Sequence, residues 1–88
     1  MTAGMLTRVP GLNIRTIDDE VVVVDKDSGD VHQLNPTASF IWQLCDGKTT
    51  RDAIITSVVD HYGITYTVAE KDVDLVIDDL KNLNLLSE

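Results

Sequence analysis

Most of the residues that announce chemistry are scarce in this sequence. It has one cysteine, Cys45, so no internal disulfide can form and the fold does not rely on an oxidising compartment. Its two histidines, His32 and His61, lie far from each other and from Cys45, without the close spacing of a zinc site. There is no glycine-rich phosphate loop. No stretch approaches the ~20 apolar residues of a membrane span. The opening "MTAGMLTRVPGLNIRT" lacks an apolar core of signal-peptide length, so a cytoplasmic protein is the expectation. Basic residues are also few: seven Lys and Arg stand against fifteen Asp and Glu, a formal net charge of −8. Such a surface repels phosphate, which argues against nucleic acid and anionic membranes as partners. Aromatic residues make up only 5% of the chain, so Phe40, Trp42, Tyr62 and Tyr66 each matter to packing.

What is present suits one small globular domain. The chain has 88 residues, 43% of them apolar, which is too many for a disordered segment. A domain of this size buries only roughly 60–65% of its unfolded surface and is marginal but able to fold alone. Residues 1–12 mix small residues with Pro10 and Gly11 and read as a flexible arm before a domain over 13–88. "NIRTI" (13–17), "EVVVVDK" (20–26) and "VHQL" (31–34) read as strands. The turns between them are Asp18–Asp19 and "DSGD" (27–30), where Gly29 is free to take positive φ. The run of β-branched residues in the second segment favours a pleated sheet over a helix. Tight turns joining three strands make an antiparallel meander.

Three helical segments follow. Asn35 is a good N-cap with Pro36 at the first helical position, and Gly47 is a stop signal. On a helical wheel Ala38, Phe40, Ile41, Trp42, Leu44 and Cys45 form a wide apolar arc, with Ser39, Gln43 and Asp46 in the remaining polar wedge. Thr49 or Thr50 caps a second helix whose apolar face is Ile54, Ile55, Val58, Val59 and Tyr62, ended by Gly63. "ITYT" (64–67) leads to a third, in which Thr67 with Glu70 makes a capping-box pattern. Ala69, Val73, Val76, Ile77, Leu80 and Leu83 share its apolar face, and Leu85–Leu86 either form a short last strand or pack down. The fold class is therefore α+β: a winged-helix-like arrangement of a three-stranded antiparallel meander followed by three helices.

No residue pattern here supports catalysis or a metal or organic cofactor. Cys45 sits at the C-terminal end of its helix, where the dipole disfavours a thiolate, and no local pattern pairs it with a histidine. It reads as a buried structural residue. "DKDSGD" resembles the start of a calcium loop but lacks the closing glutamate and flanking helices. Ser28 in "DSG" follows a Val-rich strand rather than opening a helix, unlike the attachment serine of an acyl carrier protein.

The ordered set Leu34, Asn35, Ala38, Ile41, Leu44, Asp46, Gly47, Thr49, Tyr62, Leu80 and Leu83–Leu86 resembles the PqqD family over about residues 13–86. That resemblance implies a RiPP recognition element, a domain that binds the leader segment of a ribosomally made precursor peptide. The peptide is delivered to a modifying enzyme such as a radical SAM protein or a leader peptidase, in pathways of the pyrroloquinoline quinone or lasso-peptide kind. It also implies where the peptide goes: onto the edge of the third strand, beside the third helix. The candidate site residues are accordingly Val31, His32, Gln33 and Leu34 on the strand, with Lys71, Asp74, Leu75 and Asp78 on the helix. Two features of the residues agree. A meander leaves an edge strand with unpaired backbone groups, and "DVHQL" has no proline to block pairing. Leu75 falls outside the apolar stripe, where it suits the floor of a peptide groove. The "VVVV" run puts apolar side chains on both sheet faces; the second face either calls for cover by the arm, by a partner or by a second copy in a homodimer, or is a half-exposed sheet face on which valine is simply a good strand residue. Two alternatives stand beside this reading. One is a transcriptional regulator, which the acidic third helix disfavours; the other is a structural subunit of a biosynthetic enzyme complex.

Overall fold

The computed structural model describes residues 6–87. The elements in chain order are β1 (Thr7–Arg8), β2 (Asn13–Ile17), β3 (Glu20–Val24), β4 (Val31–Leu34), α1 (Pro36–Leu44), α2 (Arg51–Tyr62), α3 (Tyr66–Asn82) and β5 (Leu86–Ser87). β2, β3 and β4 form the expected antiparallel meander with β3 at its centre, and the three helices follow it. Strand pairing sets Thr16 opposite Val21 and Val21 opposite Leu34, with the register running on to Val24 opposite Val31. Val21 and Val23 are fully buried, while Val22 and Val24 on the other face are half-buried. The alternation of a strand thus splits the valine run between a helix-covered face and an outer face. The outer face stays open at Ile17 and Val31.

The helices close over the inner face. Ile41 and Trp42 of α1, Ile54, Ile55 and Val58 of α2, and Ala69, Val73, Ile77 and Leu80 of α3 join the strand valines in one core. Burying each large aliphatic side chain contributes roughly 1.5–3 kcal/mol. The Trp42 indole N–H donates to the Leu85 carbonyl at 3.0 Å, which satisfies its polar atom inside the core. The Asn35 side chain accepts the Ala38 N–H, as expected, and of the two candidates for the second cap it is Thr50 that accepts the Ala53 N–H.

Four details differ from the sequence reading. The third helix is capped by Thr65, not Thr67: its hydroxyl accepts the Val68 N–H, and in the first turn the Tyr66 hydroxyl donates to the Asp52 carboxylate at 3.0 Å. Leu83 is not a core residue but the 40% exposed C-cap of α3; Leu85 and Leu86 fill the core instead. Ser39, assigned to a polar wedge, is buried at 2% exposure. Its hydroxyl accepts the Val21 N–H and donates to the Leu34 carbonyl, so a polar residue is there to complete the sheet.

The fourth is the arm. Residues 1–5 lie outside the described residues, but 6–12 dock on the domain. Leu6 is buried, β1 pairs with β5, and the Arg8 and Val9 N–H groups donate to the Cys45 and Leu85 carbonyls. Gly47 permits this approach. It has φ +79°, and a Cβ there would lie 2.8 Å from Thr7 Oγ1.

Candidate functional site

β4 has β3 on one side and no described strand on the other. Which of its backbone groups face outward follows from the ladder. In an antiparallel pair, directly opposed residues alternate between exchanging both hydrogen bonds and exchanging neither. The Asp25 N–H donates to the Asp30 carbonyl at 2.9 Å, just beyond the Val24–Val31 pair. At the other end Val21 reaches the Leu34 carbonyl through the Ser39 hydroxyl. Both mark the same phase, in which His32 and Leu34 turn their backbone groups to β3. Val31 and Gln33 therefore turn theirs to the open edge.

The side chains of the strand separate in the same way. Val31 is 62% exposed, and Gln33 is exposed and donates to the Glu20 carboxylate at 2.7 Å across the outer face. His32 is half-buried and Leu34 buried on the helix side. An added strand on this edge would continue both faces. The Ser39 bridge ties the end of β4, at Leu34, to α1 and to β3.

On α3, Lys71, Leu75 and Asp78 are exposed on the side opposite the buried Ala69, Val73 and Ile77. Leu75 is 65% exposed, the largest exposure among the large apolar side chains. Asp74 is engaged elsewhere. Arg51 at the start of α2 grips it with a fork of 2.9 and 2.7 Å and reaches Glu70 at 3.3 Å. That grip holds the Asp74 carboxyl below the usual carboxylate range. Both partners are largely exposed, so the pair is worth at most about 1 kcal/mol. Its role is to pin one flank of α3 to α2.

The other flank was not read from the sequence. Val68 and Leu83 are exposed and Val76 half-buried, and with Leu75 they form an apolar strip interrupted by Asp72 and Asp79. The spacing 68, 75, 76, 83 is itself helical, but Val76 and Leu83 adjoin the core stripe on the wheel and read as part of it, which hides the strip. The structure therefore places beside one another an apolar strip on α3 and two carboxylates within it.

Cys45 has no exposure, and its thiol donates to the Ile41 carbonyl at 3.3 Å. Burial pushes its pKa up to about 11, partly opposed by Arg8 and reinforced by Asp46. It is a packed thiol unsuited to attack. Among the described residues no group of three or more His, Cys, Asp or Glu side chains could hold a metal ion, and no helix is long and apolar enough to cross a membrane.

Comparison with known proteins places this geometry. The sequence model of the family described as coenzyme PQQ synthesis protein D (PqqD) matches residues 20–86. No curated protein sequence matches significantly. Two solved structures are similar throughout. TbiB1 in complex with the TbiA(beta) leader peptide is 25% identical, with a TM-score of 0.82 over 92% of this chain and 94% of that one. A lasso peptide synthetase B1 complexed with the leader peptide is 24% identical, with a TM-score of 0.84 over 97% of this chain and all of the other, a likeness of fold.

Proposed function

This chain belongs to the PqqD family, and on that premise we propose that it is a non-catalytic adaptor for a ribosomally synthesised precursor peptide. The leader segment adds as a strand to β4, and the adaptor presents the peptide to a modifying enzyme, such as a radical SAM protein or a leader peptidase. The observation that carries this reading is the pair of residues Val31 and Gln33, whose N–H and C=O groups face an edge with no described strand beside it. Backbone pairing supplies affinity there, and side-chain pockets supply specificity. His32, Lys71, Leu75 and Asp78 are the side chains assigned to those pockets, with Asp74 at their margin in its clamp to Arg51; Leu34, expected among them from the sequence, is instead a core residue with its carbonyl held by Ser39. The structural likeness to TbiB1, solved with a leader peptide, supports the same reading.

The exposed face of α3 sets Asp72, Asp78 and Asp79 against Lys71, a net negative surface that repels a DNA phosphate. The test is a calorimetric titration with the leader of a precursor peptide encoded beside this gene, followed by amide-shift mapping. Saturable binding with shifts at Val31 and Gln33 is expected. Shifts confined to α2 would reject the edge-strand site.

A further inference from the structure

We infer a second binding site, for an arginine side chain presented by a partner protein, in the cavity between the β2–β3 turn, one face of α1 and the C-terminal end of α2. The cavity has a volume of about 410 Å³ and is lined in part by Thr16, Asp18, Asp19, Phe40, His61 and Tyr62. Neither Val31 nor Gln33 lines it, so an occupant leaves the open backbone groups of β4 free. The inference does not depend on the leader-binding reading.

Three rings build one wall. His61 stacks on Phe40 with centroids 4.4 Å apart and planes 17° apart. Tyr62 meets Phe40 edge-on at 5.8 Å and His61 edge-on at 4.7 Å. α2 supplies His61 and Tyr62 from its last turn, and both remain exposed, Tyr62 by 39%. A core-only role does not require an exposed aromatic cluster at the mouth of a cavity.

The opposite side is anionic. Asp18 and Asp19 are exposed at the tip of the β2–β3 hairpin, and no hydrogen bond or ion pair engages either carboxylate among the described residues. No Lys or Arg lines the cavity. Arg8 is occupied by the Gln43 carbonyl and the face of Trp42. Arg51 is engaged by Asp74 and Glu70.

Aromatic faces beside unpaired carboxylates match a guanidinium better than any other protein group. Its plane stacks on a ring while its donors fork to a carboxylate. An ammonium offers the charge without the plane. The formal charge of −8 adds long-range attraction for a basic partner surface.

The experiment is an amide-shift titration of the full chain with N-acetyl-arginine methylamide, with the lysine and glutamine analogues as controls. Saturable shifts at Thr16, Phe40, His61 and Tyr62 are expected for arginine, with weaker binding of lysine and none of glutamine. The variant carrying Asp18→Asn and Asp19→Asn keeps side-chain shape, and asparagine tolerates the positive φ of 55° at position 18. It should bind arginine roughly fivefold more weakly, the scale of an exposed charge pair. Tyr62→Leu removes a ring from an exposed position and should weaken arginine more than lysine. The inference is overturned by an absence of saturable shifts, by equal response to glutamine or lysine, by undiminished affinity in the double variant, or by shifts centred on β4. Leader affinity at β4 is measured separately, and its failure would leave this site standing.

Discussion

The hydroxyl of Ser39 lies 2.8 Å from the backbone N of Val21, at the point where the ladder between β3 and β4 would otherwise close directly. It also donates to the Leu34 carbonyl at 3.1 Å. One side chain from α1 thus ties both strands to the helix that follows them. Ser39→Ala would leave a buried N–H and a buried carbonyl without this bridge. The expected cost is about 1–3 kcal/mol, the scale of an unsatisfied buried polar group. Urea unfolding of the variant checks it; a midpoint equal to that of the parent would mean that the strands close the gap on their own.

Cys45 makes a prediction in alkaline solution. Its folded pKa is pushed up to about 11 from an ordinary value of 9.0, mainly by burial. A thiol held protonated in the folded state contributes stability that is fully present below the unfolded value. That stability is lost as pH rises from about 9 through about 11, because only the unfolded chain ionises freely there. The loss is on the order of 2–3 kcal/mol. Cys45→Ala costs on the order of 1 kcal/mol at neutral pH, a small-cavity effect, and leaves peptide affinity unchanged. Its unfolding midpoint should fall less steeply between pH 8 and 11 than that of the parent. Parallel pH profiles would show that the thiol is not the group responsible.

How legible this molecule was depended on whether a residue's role was local. The valine run, the Asn35 and Thr50 caps and the stop at Gly63 are local signals, and the structure follows them. Ser39 was misplaced because a wheel sees only its polarity, while its reason for being buried is a strand eighteen positions earlier in the chain. Thr65 and Thr67 lie two apart and both have cap chemistry, so residue type alone does not choose between them, and the hydroxyl that accepts the Val68 N–H is that of Thr65. The docking of residues 6–12 depends on a glycine at 47 and a tail at 85–87, none of them neighbours in sequence. The meander alone offers two edge strands, β2 and β4, and the family resemblance is what singles out the third strand. Which residues face outward could not be read from the sequence, because hydrogen-bond phase is a property of the pair and not of the strand.

Leu75→Asp separates binding from folding. Leu75 is 65% exposed, while Val73, Ile77 and Leu80 carry the core contacts of the helix. The substitution should therefore change the melting temperature little. It places a further charge within an apolar strip that already carries Asp72 and Asp79, where a leader side chain would have to be desolvated. Affinity for the leader should fall by about tenfold or more, equivalent to about 1.4 kcal/mol. Calorimetry measures it directly, and unaltered affinity would remove Leu75 from the site.

Proline placed at adjacent positions of β4 should have opposite consequences. The N–H of His32 faces Val23 within the sheet, so His32→Pro removes a ladder hydrogen bond and sets a ring against the neighbouring strand. It should destabilise the domain. The N–H of Gln33 faces the open edge, so Gln33→Pro takes nothing from the ladder, and its only native side-chain bond is the exposed one to Glu20. That variant should stay folded with a melting temperature near the parent's. If a leader pairs with this edge, it loses a backbone donor, and the ring obstructs its approach. Affinity should fall by about tenfold, the upper range for one hydrogen bond. Thermal melts and leader titrations of the two variants give a paired readout. A stable Gln33→Pro domain that binds leader as tightly as the parent would exclude the β4 edge as the docking strand, whatever happens at position 32.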